Sequence, residues 1–563
     1  MPDPVSFDPL ASIRARVRSS VEQAWADAVA QGGLAAVEDP AAAPAVEIGR
    51  PANPAFGDLA TNLAMKLAKP LRRSPMDVAE ALAGTLSEAG PGLVASAEAA
   101  RPGFLNLRVA DAAYERLIAA INEHPEAWGR IPAVTTRKVN VEFVSANPTG
   151  PLTIGNARGA FVGDLLCRVL EAGGQTVTRE YYFNDSGAQV SHLGASVVAM
   201  KRGEPVPEEG YRGAYVEDLA REVPPGVWAA ATADGADGAD IVGRWAGSAV
   251  RQGIELSLSH LGVRFDVWTS EARLHDEGWV GRAIDRLRAN DAVYELDGAL
   301  WFRSTAYGDD KDRVVLRSDG RPTYFAADIG YVTEKFSRGF DHLIYIWGAD
   351  HHGTVARVRN AATAMGYPVE HVQMLLYSWV RFIRDGQEVS MSKRAGEFIT
   401  LDELLAEVGV DAARWFFASR AATSAIDFDI ELAKKQSADN PVYYVQYAHA
   451  RIASILRKAQ DAGMHAASGI DGLLAGEPEA VLARVVSRFP EVVEDAVVAE
   501  ETHGLTAYAT ELATQFHAFY RDARVVDDTA PERSAKRLAL VLAAKTTLAN
   551  ALGLLGISAP ESM

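Results

Sequence analysis

One stretch of the chain, residues 137–183, constrains the fold more than any other. RKVNVEFVSA alternates apolar and polar residues with a period of two, which predicts a strand. After a loop with Pro and Gly, a helix is predicted over Ala157–Ala172, with a stop at Gly173-Gly174. QTVTREYYF then has the pattern of a second strand. A strand–helix–strand unit of this kind implies a parallel sheet with a right-handed crossover.

The α/β pattern continues to about residue 400, and two different regions flank it. HLIYIW (342–347) predicts a buried strand, and Asp319-Gly320 and Asp385-Gly386 predict hairpin turns between strand-like runs. ADGADGAD (233–240) has low complexity and predicts a mobile surface loop. Residues 1 to about 110 have the pattern of a small α+β domain.

From Thr400 onward the chain is predicted to be nearly all helix. Thr400 and Glu403 form a capping box before an apolar run. Amphipathic stretches follow near 441–464, 478–500, 502–524 and 534–555. The predicted fold class is therefore multidomain α/β: a Rossmann-type parallel-sheet domain, a small α+β N-terminal domain and an all-α C-terminal bundle.

Composition limits the class of protein. The chain has 563 residues and a formal net charge of −18, which weighs against a general nucleic-acid binder but permits a local basic groove. Cys167 is the only cysteine, so no intramolecular disulfide and no cysteine-based zinc site can form. We see neither a signal peptide nor a run approaching the ~20 apolar residues that span a bilayer. These features predict a cytoplasmic protein without a membrane partner.

The first motif with chemical content is ANPTGPLTIGNARGA (146–160), which joins a strand to a helix. Gly150 and Gly155 would let the backbone approach a ligand, and the helix start offers free N–H groups and a positive dipole end. Thr153 and Asn156 add hydrogen-bonding groups there. A nucleotide triphosphate suits such a site, but a tight turn that needs glycine explains the spacing equally well.

The second motif is VSMSKRAG (389–396), between the Asp385-Gly386 turn and the capped helix. Two adjacent cations on a Gly/Ser loop can hold a polyphosphate and stabilise a leaving pyrophosphate. A solvated basic turn is the simpler alternative for this motif taken alone.

Together the two motifs resemble the paired signatures of class I aminoacyl-tRNA synthetases, His-Ile-Gly-His and Lys-Met-Ser-Lys-Ser. Here they stand as Thr153-Ile154-Gly155-Asn156 and Ser390-Met391-Ser392-Lys393-Arg394. The resemblance implies two halves of a Rossmann-type domain that meet at a ligand crevice and hold ATP. Thr153 and Asn156 replace the two histidines and Ser390 the first lysine, so those roles must be tested.

Finer resemblance points to the arginyl-tRNA synthetase family. The segments that carry it run in order along nearly the whole chain: PAFGDLATNLAM (54–65), VEFVSANPTGPL, YYFNDSGAQ (181–189), TYFAADIGY (323–331), WGADHHGTVARV (347–358), MSKRAGEFITLDEL (391–404), DAARWFF (411–417), NPVYYVQYAHARI (440–452) and LLGISAPESM. The implied division is an additional tRNA-contacting domain over 1–115, a catalytic domain over 116–402 with an insertion near 200–275, and a helical stem and anticodon-binding domain over 403–563.

The resemblance also implies site residues. Lys393, Thr153 and Asn156 would be catalytic, and ATP would contact Pro151, Thr153, Gly155, Asn156, Gly348, Asp350, His351, Met391, Ser392 and Lys393. Arginine would contact Glu142, Ser145, Asn147, Tyr324 and Asp328. The tRNA would contact Tyr443, Tyr447, Arg451, Phe56 and Asn62. We expect His352 to be a structural histidine.

Physical chemistry is consistent with this assignment. A guanidinium requires planar acceptors, best supplied by a carboxylate. Tyr324 and Asp328 are four residues apart and share a face if their segment is helical, although Asp328 could also be a helix-cap or surface acid. Tyr443, Tyr447 and Arg451 have the same spacing, and aromatic faces can stack on unpaired bases. Core packing is the alternative for at least one of those tyrosines.

The implied substrates and partners are ATP with Mg²⁺, L-arginine and tRNA(Arg). We expect no prosthetic group, no zinc, no metal ligand from the protein, and a monomer. Two other functions stay open on the sequence: a synthetase for another amino acid, such as cysteine or glutamine, and a non-catalytic tRNA-binding paralogue. The Tyr324/Asp328 pair argues against the first, and the substituted signatures motivate the second.

Overall fold

The computed structural model describes residues 10–88, 92–133, 135–185, 187–389 and 399–563. Its N-terminal domain is a three-stranded antiparallel sheet in the order β1-β3-β2, with helices packed against it. Its elements are α1 (Ile13–Ala30), β1 (Leu59–Thr61), α2 (Leu63–Leu71), α3 (Pro75–Glu88), β2 (Val94–Ala100), β3 (Phe104–Val109) and α4 (Asp111–Glu123). The predicted small α+β domain is confirmed.

The middle of the chain contains the central sheet and its insertions. In chain order its elements are β4 (Lys138–Glu142), α5 (Ile154–Ala172), β5 (Thr176–Phe183), α6 (Ala188–Arg202), α7 (Ala214–Glu222), α8 (Pro225–Ala231), α9 (Gly238–His260), β6 (Val267–Ser270), α10 (Glu271–Asp276), α11 (Trp279–Ala289), β7 (Val293–Leu296), β8 (Ala299–Phe302), β9 (Arg313–Leu316), α12 (Tyr324–Ser337), β10 (His342–Gly348), α13 (His352–Ala364), β11 (Val372–Tyr377), β12 (Val380–Arg384), β13 (Gln387–Glu388), α14 (Leu401–Val408), α15 (Val410–Ala418), β14 (Ile426–Asp429) and α16 (Ile430–Lys434).

The central sheet has five strands in the order β11-β10-β4-β5-β6, and all neighbouring pairs are parallel. From β4 the chain builds outward to β5 and β6, and later crosses back to add β10 and β11 on the other side of β4. The strand order therefore reverses between β4 and β10. In sheets of this kind, ligands bind at the carboxyl ends of the strands that flank this point.

Helix α5 lies against the sheet because glycine permits a close approach. A Cβ on Gly163 would lie 2.2 Å from the ring of Phe143, so only glycine fits this contact. The helix begins at Ile154, three residues before the predicted start, because Thr153 and Asn156 form a capping box around its first turn. The predicted strands β4, β5 and β10 are confirmed.

Two smaller sheets flank the central one. The first has the antiparallel order β7-β8-β9, and the second has the order β13-β12-β14. Asp385-Gly386 is a hairpin turn between β12 and β13, as predicted. The predicted hairpin at Asp319-Gly320 is wrong as a strand-to-strand turn. After it the chain makes a single bridge, Leu316 to Pro322, and enters α12.

The C-terminal region is a helical bundle, as predicted. Its helices are α17 (Pro441–Asp461), α18 (Glu477–Ser487), α19 (Phe489–Ala499), α20 (His503–Asp522) and α21 (Pro531–Leu554). The stretch expected as one helix over 478–500 is two, because the chain breaks at Arg488, just before Pro490.

Helix α21 bears on the expectation that no run of the chain approaches the ~20 apolar residues that span a bilayer. Among the described residues it meets that criterion by length and composition, with a mean hydropathy of 1.2 over its best window. About half of that window, 56%, is buried inside the structure. This is weak evidence for a span, because the core helix of a bundle has the same properties.

The N-terminal domain is docked on this bundle. Arg14 pairs with Glu494 at 2.6 Å, and Arg50 makes a two-pronged contact with the buried Glu491 at 2.9 Å. Beyond α4, the indole N–H of Trp128 donates to Thr547 Oγ1 at 2.9 Å. The N-terminal region and the C-terminal bundle are therefore joined by direct contacts.

Candidate active site

A large cleft opens where β4 and β10 separate, at the carboxyl end of the central sheet. Its volume is about 1470 Å³. Ten of the residues that the sequence implies for ATP or arginine line it: Glu142, Ser145, Asn147, Pro151, Asn156, Tyr324, Asp328, Gly348, Asp350 and His351. Thr153 and Gly155 lie at the start of α5 beside them. Met391, Ser392 and Lys393 lie outside the described residues.

The start of α5 presents polar groups to the cleft. Asn156 Oδ1 accepts hydrogen bonds from the backbone N–H of Thr153 at 3.0 Å and from its hydroxyl at 3.1 Å. In the described part of the chain the amide N–H groups of Asn156 make no hydrogen bond, so they can face a ligand. A Cβ on Gly155 would meet nothing closer than 3.5 Å. This end of the helix is open, as a phosphate site requires.

Gly150 lines the cleft and also lies against a ring of the protein. A Cβ on Gly150 would lie 3.3 Å from the ring of Tyr215, which belongs to α7 of the insertion. The Tyr215 hydroxyl donates to the carbonyl of Thr149 at 2.9 Å. Gly150 therefore makes room for a neighbouring ring of the protein.

The chain that follows the second motif joins the first motif directly. Thr153 and Thr400 form an antiparallel bridge. The N–H of Ile154 donates to the carbonyl of Ile399 at 3.2 Å, and the N–H of Leu401 donates to the carbonyl of Leu152 at 3.0 Å. Residues separated by about 245 positions in sequence thus meet at the start of α5.

The opposite end of the cleft is acidic. Tyr324 and Asp328 lie one turn apart on α12, so the predicted shared face exists, and both line the cleft. The half-buried carboxyl of Asp328 has no hydrogen-bond or ion-pair partner among the described residues. Burial, together with the charges of Glu142 and Glu271, raises the pKa of Asp328 to about 8. An unpaired carboxyl held this way can accept a cation.

Glu271 is a cleft residue that the sequence analysis missed. It is buried at the start of α10 and accepts a hydrogen bond from the hydroxyl of Tyr182 at 2.6 Å. Burial raises the pKa of Glu271. Its sequence context is an ordinary acid in the first turn of a short helix, so no local signal marks it.

Glu142, at the end of β4, is already paired. Its Oε2 accepts from the ammonium of Lys335 at 2.7 Å, and its Oε1 accepts from the hydroxyl of Ser145 at 3.1 Å. Lys335 is fully buried and lies 4.1 and 3.9 Å from the ring centroids of Tyr331 and Tyr345. The sequence analysis missed Lys335 as well. A buried charge needs such a partner, and this pair fixes the orientation of the carboxylate.

The turn after Glu142 is strained. Val144 has φ of 66° and Ser145 has φ of 43°, a region that non-glycine residues rarely adopt. The hydroxyl of Ser145 compensates by accepting from the N–H of Tyr182 at 3.2 Å while donating to Glu142. Conformations of this kind cluster at ligand sites, because surrounding contacts must hold them.

Asn147 has both ends of its amide engaged. Its Nδ2 donates to Gln189 Oε1 at 2.8 Å, and its Oδ1 accepts from the N–H of Asn184 at 3.3 Å. Asn147 therefore ties β4's loop to the segment between β5 and α6. Because an amide has two N–H donors and two acceptor lone pairs, one of each is left for arginine among the described residues.

The end of β10 supplies the residues opposite α5. A Cβ on Gly348 would lie 2.4 Å from a carboxylate oxygen of Asp350, so the Asp350 side chain packs closely over this glycine. His351 lies 3.7 Å from the Asp350 carboxylate, and both side chains are exposed. His352 is also exposed at the start of α13, so it is not the packed structural histidine that we expected.

The residues implied for tRNA lie in the other two domains. The rings of Tyr443 and Tyr447 are nearly parallel with centroids 6.4 Å apart, and the Arg451 guanidinium lies 5.2 Å from the Tyr447 ring. Tyr447 is exposed, whereas His449 on the same helix is buried and bonds the carbonyl of Pro560 at 2.9 Å. Phe56 is exposed, and Asn62 Oδ1 is buried without a partner in the structure as described.

Within the described residues, no group of three or more His, Cys, Asp or Glu side chains is arranged to hold a metal ion.

Three family sequence models match successive parts of the chain. "Arginyl tRNA synthetase N terminal domain" matches residues 15–109, "tRNA synthetases class I (R), catalytic domain" matches 123–210 and 246–445, and "DALR anticodon binding domain" matches 445–563. Together they cover most of the chain in a single order.

Relatives and solved structures agree with these matches. The arginine–tRNA ligase of Citrifermentans bemidjiense is 44% identical over 566 residues, covering 98% of this chain and 99% of that protein. The arginine–tRNA ligase of Syntrophotalea carbinolica is 45% identical over 536 residues, covering 92% and 95%. The fold matches Thermus thermophilus arginyl-tRNA synthetase with a TM-score of 0.77 at 24% identity, covering 98% and 100%. The chain therefore belongs to the arginyl-tRNA synthetases, a family of class I aminoacyl-tRNA synthetases.

Proposed function

We propose that the cleft activates L-arginine with ATP, and that the protein then transfers the arginyl group to tRNA(Arg) as an arginine–tRNA ligase. The observation that carries this is the meeting, in one cleft, of an open helix start and an acidic pocket with an unpaired carboxyl, Asp328. Phosphates suit the first and a guanidinium suits the second.

The nucleotide occupies the end of the cleft formed by α5 and β10. The side-chain amide of Asn156 and the backbone N–H of Gly155 bind phosphate oxygens, and Thr153 fixes Asn156 through two hydrogen bonds. Neither residue carries the charge of a protonated histidine, so the helix end supplies most of the positive potential. Further ATP contacts come from Pro151, Gly155, Gly348, Asp350, His351, Met391, Ser392 and Lys393.

Lys393 is the proposed transition-state cation. It precedes Ile399 by six residues, and Ile399 is hydrogen-bonded to the start of α5. Mg²⁺ enters with ATP as part of the substrate, and we assign it no ligand from the protein. We likewise propose no zinc site.

Arginine occupies the acidic end. Asp328 pairs with the guanidinium, with Tyr324 on the same helix face and Glu271 as a second acceptor that Tyr182 holds in place. Ser145 and Asn147 bind near the ammonium and carboxylate. Since Lys335 neutralises Glu142, Glu142 contributes an oriented acceptor with little net charge.

The two steps follow from this placement. The arginine carboxylate attacks the α-phosphorus of ATP, a new O–P bond forms, and pyrophosphate leaves with the bond electrons. The terminal tRNA ribose hydroxyl then attacks the arginyl carbonyl, and AMP leaves as the hydroxyl proton is lost. Positioning and charge stabilisation supply the rate, since the protein forms no covalent bond.

For the tRNA we propose two surfaces. The stacked Tyr443 and Tyr447 with Arg451 would contact bases of the anticodon arm, and Phe56 with Asn62 would contact another part of the tRNA. We retain the domain limits 1–115, 116–402 and 403–563, and we propose a cytoplasmic monomer. A ligase for an amino acid with an uncharged side chain, such as cysteine or glutamine, is not favoured. Such a side chain would leave the acceptors of the acidic pocket unpaired.

Aminoacylation of total tRNA with radiolabelled arginine tests the proposal. Arginine should be incorporated, and a matched panel with radiolabelled cysteine, glutamine and lysine should give only background counts. Incorporation of another amino acid without arginine would overturn the substrate assignment. Binding of tRNA with no aminoacylation would instead favour the non-catalytic paralogue.

A further inference from the structure

We propose that Tyr215, on α7 of the insertion, is a positioning residue that holds the Thr149–Pro151 turn leading into the ATP-binding end of α5. The inference rests on the assignment of that turn to ATP under the proposed function. Tyr215 belongs to neither of the two signature motifs.

Two contacts join Tyr215 to the turn. Its hydroxyl donates to the carbonyl of Thr149 at 2.9 Å, and its ring lies where a Cβ on Gly150 would come within 3.3 Å. The ring is half-buried, and burial raises the pKa of Tyr215, so the hydroxyl remains a donor at neutral pH. The turn is thus held by a hydrogen bond at one residue and by ring packing at the next.

Tyr215 is itself fixed. Gly213 has φ of 118°, which permits the turn that begins α7. A Cβ on Gly213 would lie 3.6 Å from the Tyr215 ring, so the ring packs against this glycine. Val216 and Leu219 of α7 are buried, and Leu219 lies one helical turn after Tyr215 on the same face. A helix anchored in this way delivers its side chain to a defined place.

Two further helices, α6 and α9, contact the same loop. Gln189 of α6 accepts from Asn147, and Gly247 of α9 would place a Cβ 3.7 Å from the carbonyl of Pro148. Helices α6 and α9 are locked together at Gly194, where a Cβ would lie 1.9 Å from the carbonyl of Ala239. Helices α6, α7 and α9 together therefore contact four successive residues, 147–150.

The turn has little support of its own. The N–H of Thr149 donates to the carbonyl of Asn147 at 2.8 Å, a bond internal to the turn. Among the described residues, the only hydrogen bond that the carbonyl of Thr149 accepts comes from Tyr215. Removing Tyr215 should therefore loosen the approach to Pro151 and Asn156 without unfolding the sheet. Small displacements of positioned groups weaken binding and catalysis measurably.

The test is ATP–pyrophosphate exchange with arginine and cognate tRNA, comparing the wild type with Tyr215→Phe and Tyr215→Ala. Loss of one neutral hydrogen bond should raise KM for ATP by roughly twofold to tenfold in Tyr215→Phe, with more in Tyr215→Ala. KM for arginine should change less than twofold, and the melting temperature of Tyr215→Phe should stay close to the wild type.

Tyr294→Phe is the matched control. It removes a tyrosine hydroxyl that donates to Asp312 at 3.0 Å in the β7–β9 sheet, away from the cleft, and its KM for ATP should be that of the wild type. Wild-type KM and kcat in both Tyr215 variants would overturn this inference alone. A wild-type chain with no arginine-dependent exchange would overturn it together with the assignment of the cleft. A lowered melting temperature with unchanged kinetic constants would make Tyr215 purely structural, which also overturns it.

Discussion

The two ends of the cleft are built differently. At the arginine end two buried carboxylates are held by partners from the protein, Glu142 by Lys335 and Glu271 by Tyr182, beside the unpaired carboxyl of Asp328. At the nucleotide end the side chains of Asp350 and His351 are 83% and 57% exposed, and the helix start offers the backbone N–H of Gly155. One end is preorganised by side chains and the other by backbone.

The difference follows from what each ligand demands. A guanidinium is recognised by acceptors whose geometry must match its planar fork, and an unpaired buried acceptor penalises the wrong amino acid. Phosphates carry a large charge that a helix dipole and N–H groups attract without such matching. Single side-chain changes should therefore harm arginine selection more than nucleotide binding.

The largest effect is expected at Asp328. Asp328→Asn removes the carboxylate opposite the guanidinium and should cost about 2–5 kcal/mol of binding, the range for breaking a buried charge pair. KM for arginine in ATP–pyrophosphate exchange should rise by roughly two orders of magnitude or more. Asp285→Asn, which changes an exposed acid on α11, is the control and should behave as wild type. An unchanged KM for arginine in Asp328→Asn would refute the proposed pocket.

Lys393 is the exception at the nucleotide end, because it is expected to act in the transition state. Lys393→Ala should lose about 3 kcal/mol of transition-state stabilisation, which lowers kcat by roughly a hundredfold. KM for ATP should change much less, since a group that acts in the transition state contributes little to ground-state binding. Lys434→Ala removes an exposed lysine paired with Glu407 and should leave kcat intact. Single-turnover measurements of adenylate formation separate this step from product release.

Local patterns predicted the frame of the site well. The period-two run at β4 and the apolar run at β10 predicted two strands of the central sheet, and the family resemblance of the loop between β4 and α5 predicted the crevice. Tyr324 and Asp328 could be paired because helical spacing is a local property. These features depend only on residues that are close together in the sequence, which is why they can be predicted from it.

The residues that were missed depend on the tertiary fold. Lys335 pairs with Glu142 across 193 positions, and Tyr182 meets Glu271 across 89. Each looks ordinary in its own helix or strand, because its burial is created by other elements. Gly150 has a contact that its motif does not contain: it lines the cleft, as its place in the motif suggested, and it also packs against the ring of Tyr215.

Arginine binding is also expected to depend on pH. With its pKa raised to about 8, Asp328 is mostly protonated at neutral pH, whereas arginine remains a cation. Arginine binds best to the ionised carboxylate, so a proton must leave Asp328 when arginine binds. KM for arginine should therefore fall as pH rises from 6 toward 8, by up to about tenfold per unit.

Glu271→Gln sharpens this test. Glu271 is one of the charges that raise the pKa of Asp328, so its neutralisation should move the fall in KM to lower pH. Calorimetry of arginine binding in buffers of different ionisation enthalpy should show release of nearly one proton at pH 7. A KM for arginine that stays flat between pH 6 and 8 would show that Asp328 is ionised before arginine arrives.

The smallest effect is expected at His351, and it completes the contrast between the two ends. Because its side chain is largely exposed, removing it should raise KM for ATP by less than about fivefold, the range for solvent-exposed charged or polar contacts. His352→Ala is a matched control one residue away, also exposed and outside the cleft lining, and it should have the wild-type KM. A His351→Ala variant that loses as much activity as Asp328→Asn would mean that the nucleotide end also relies on a single fixed side chain. The distinction between a side-chain pocket and a backbone pocket would then fail, and phosphate binding would have to be reassigned from the start of α5 to the end of β10.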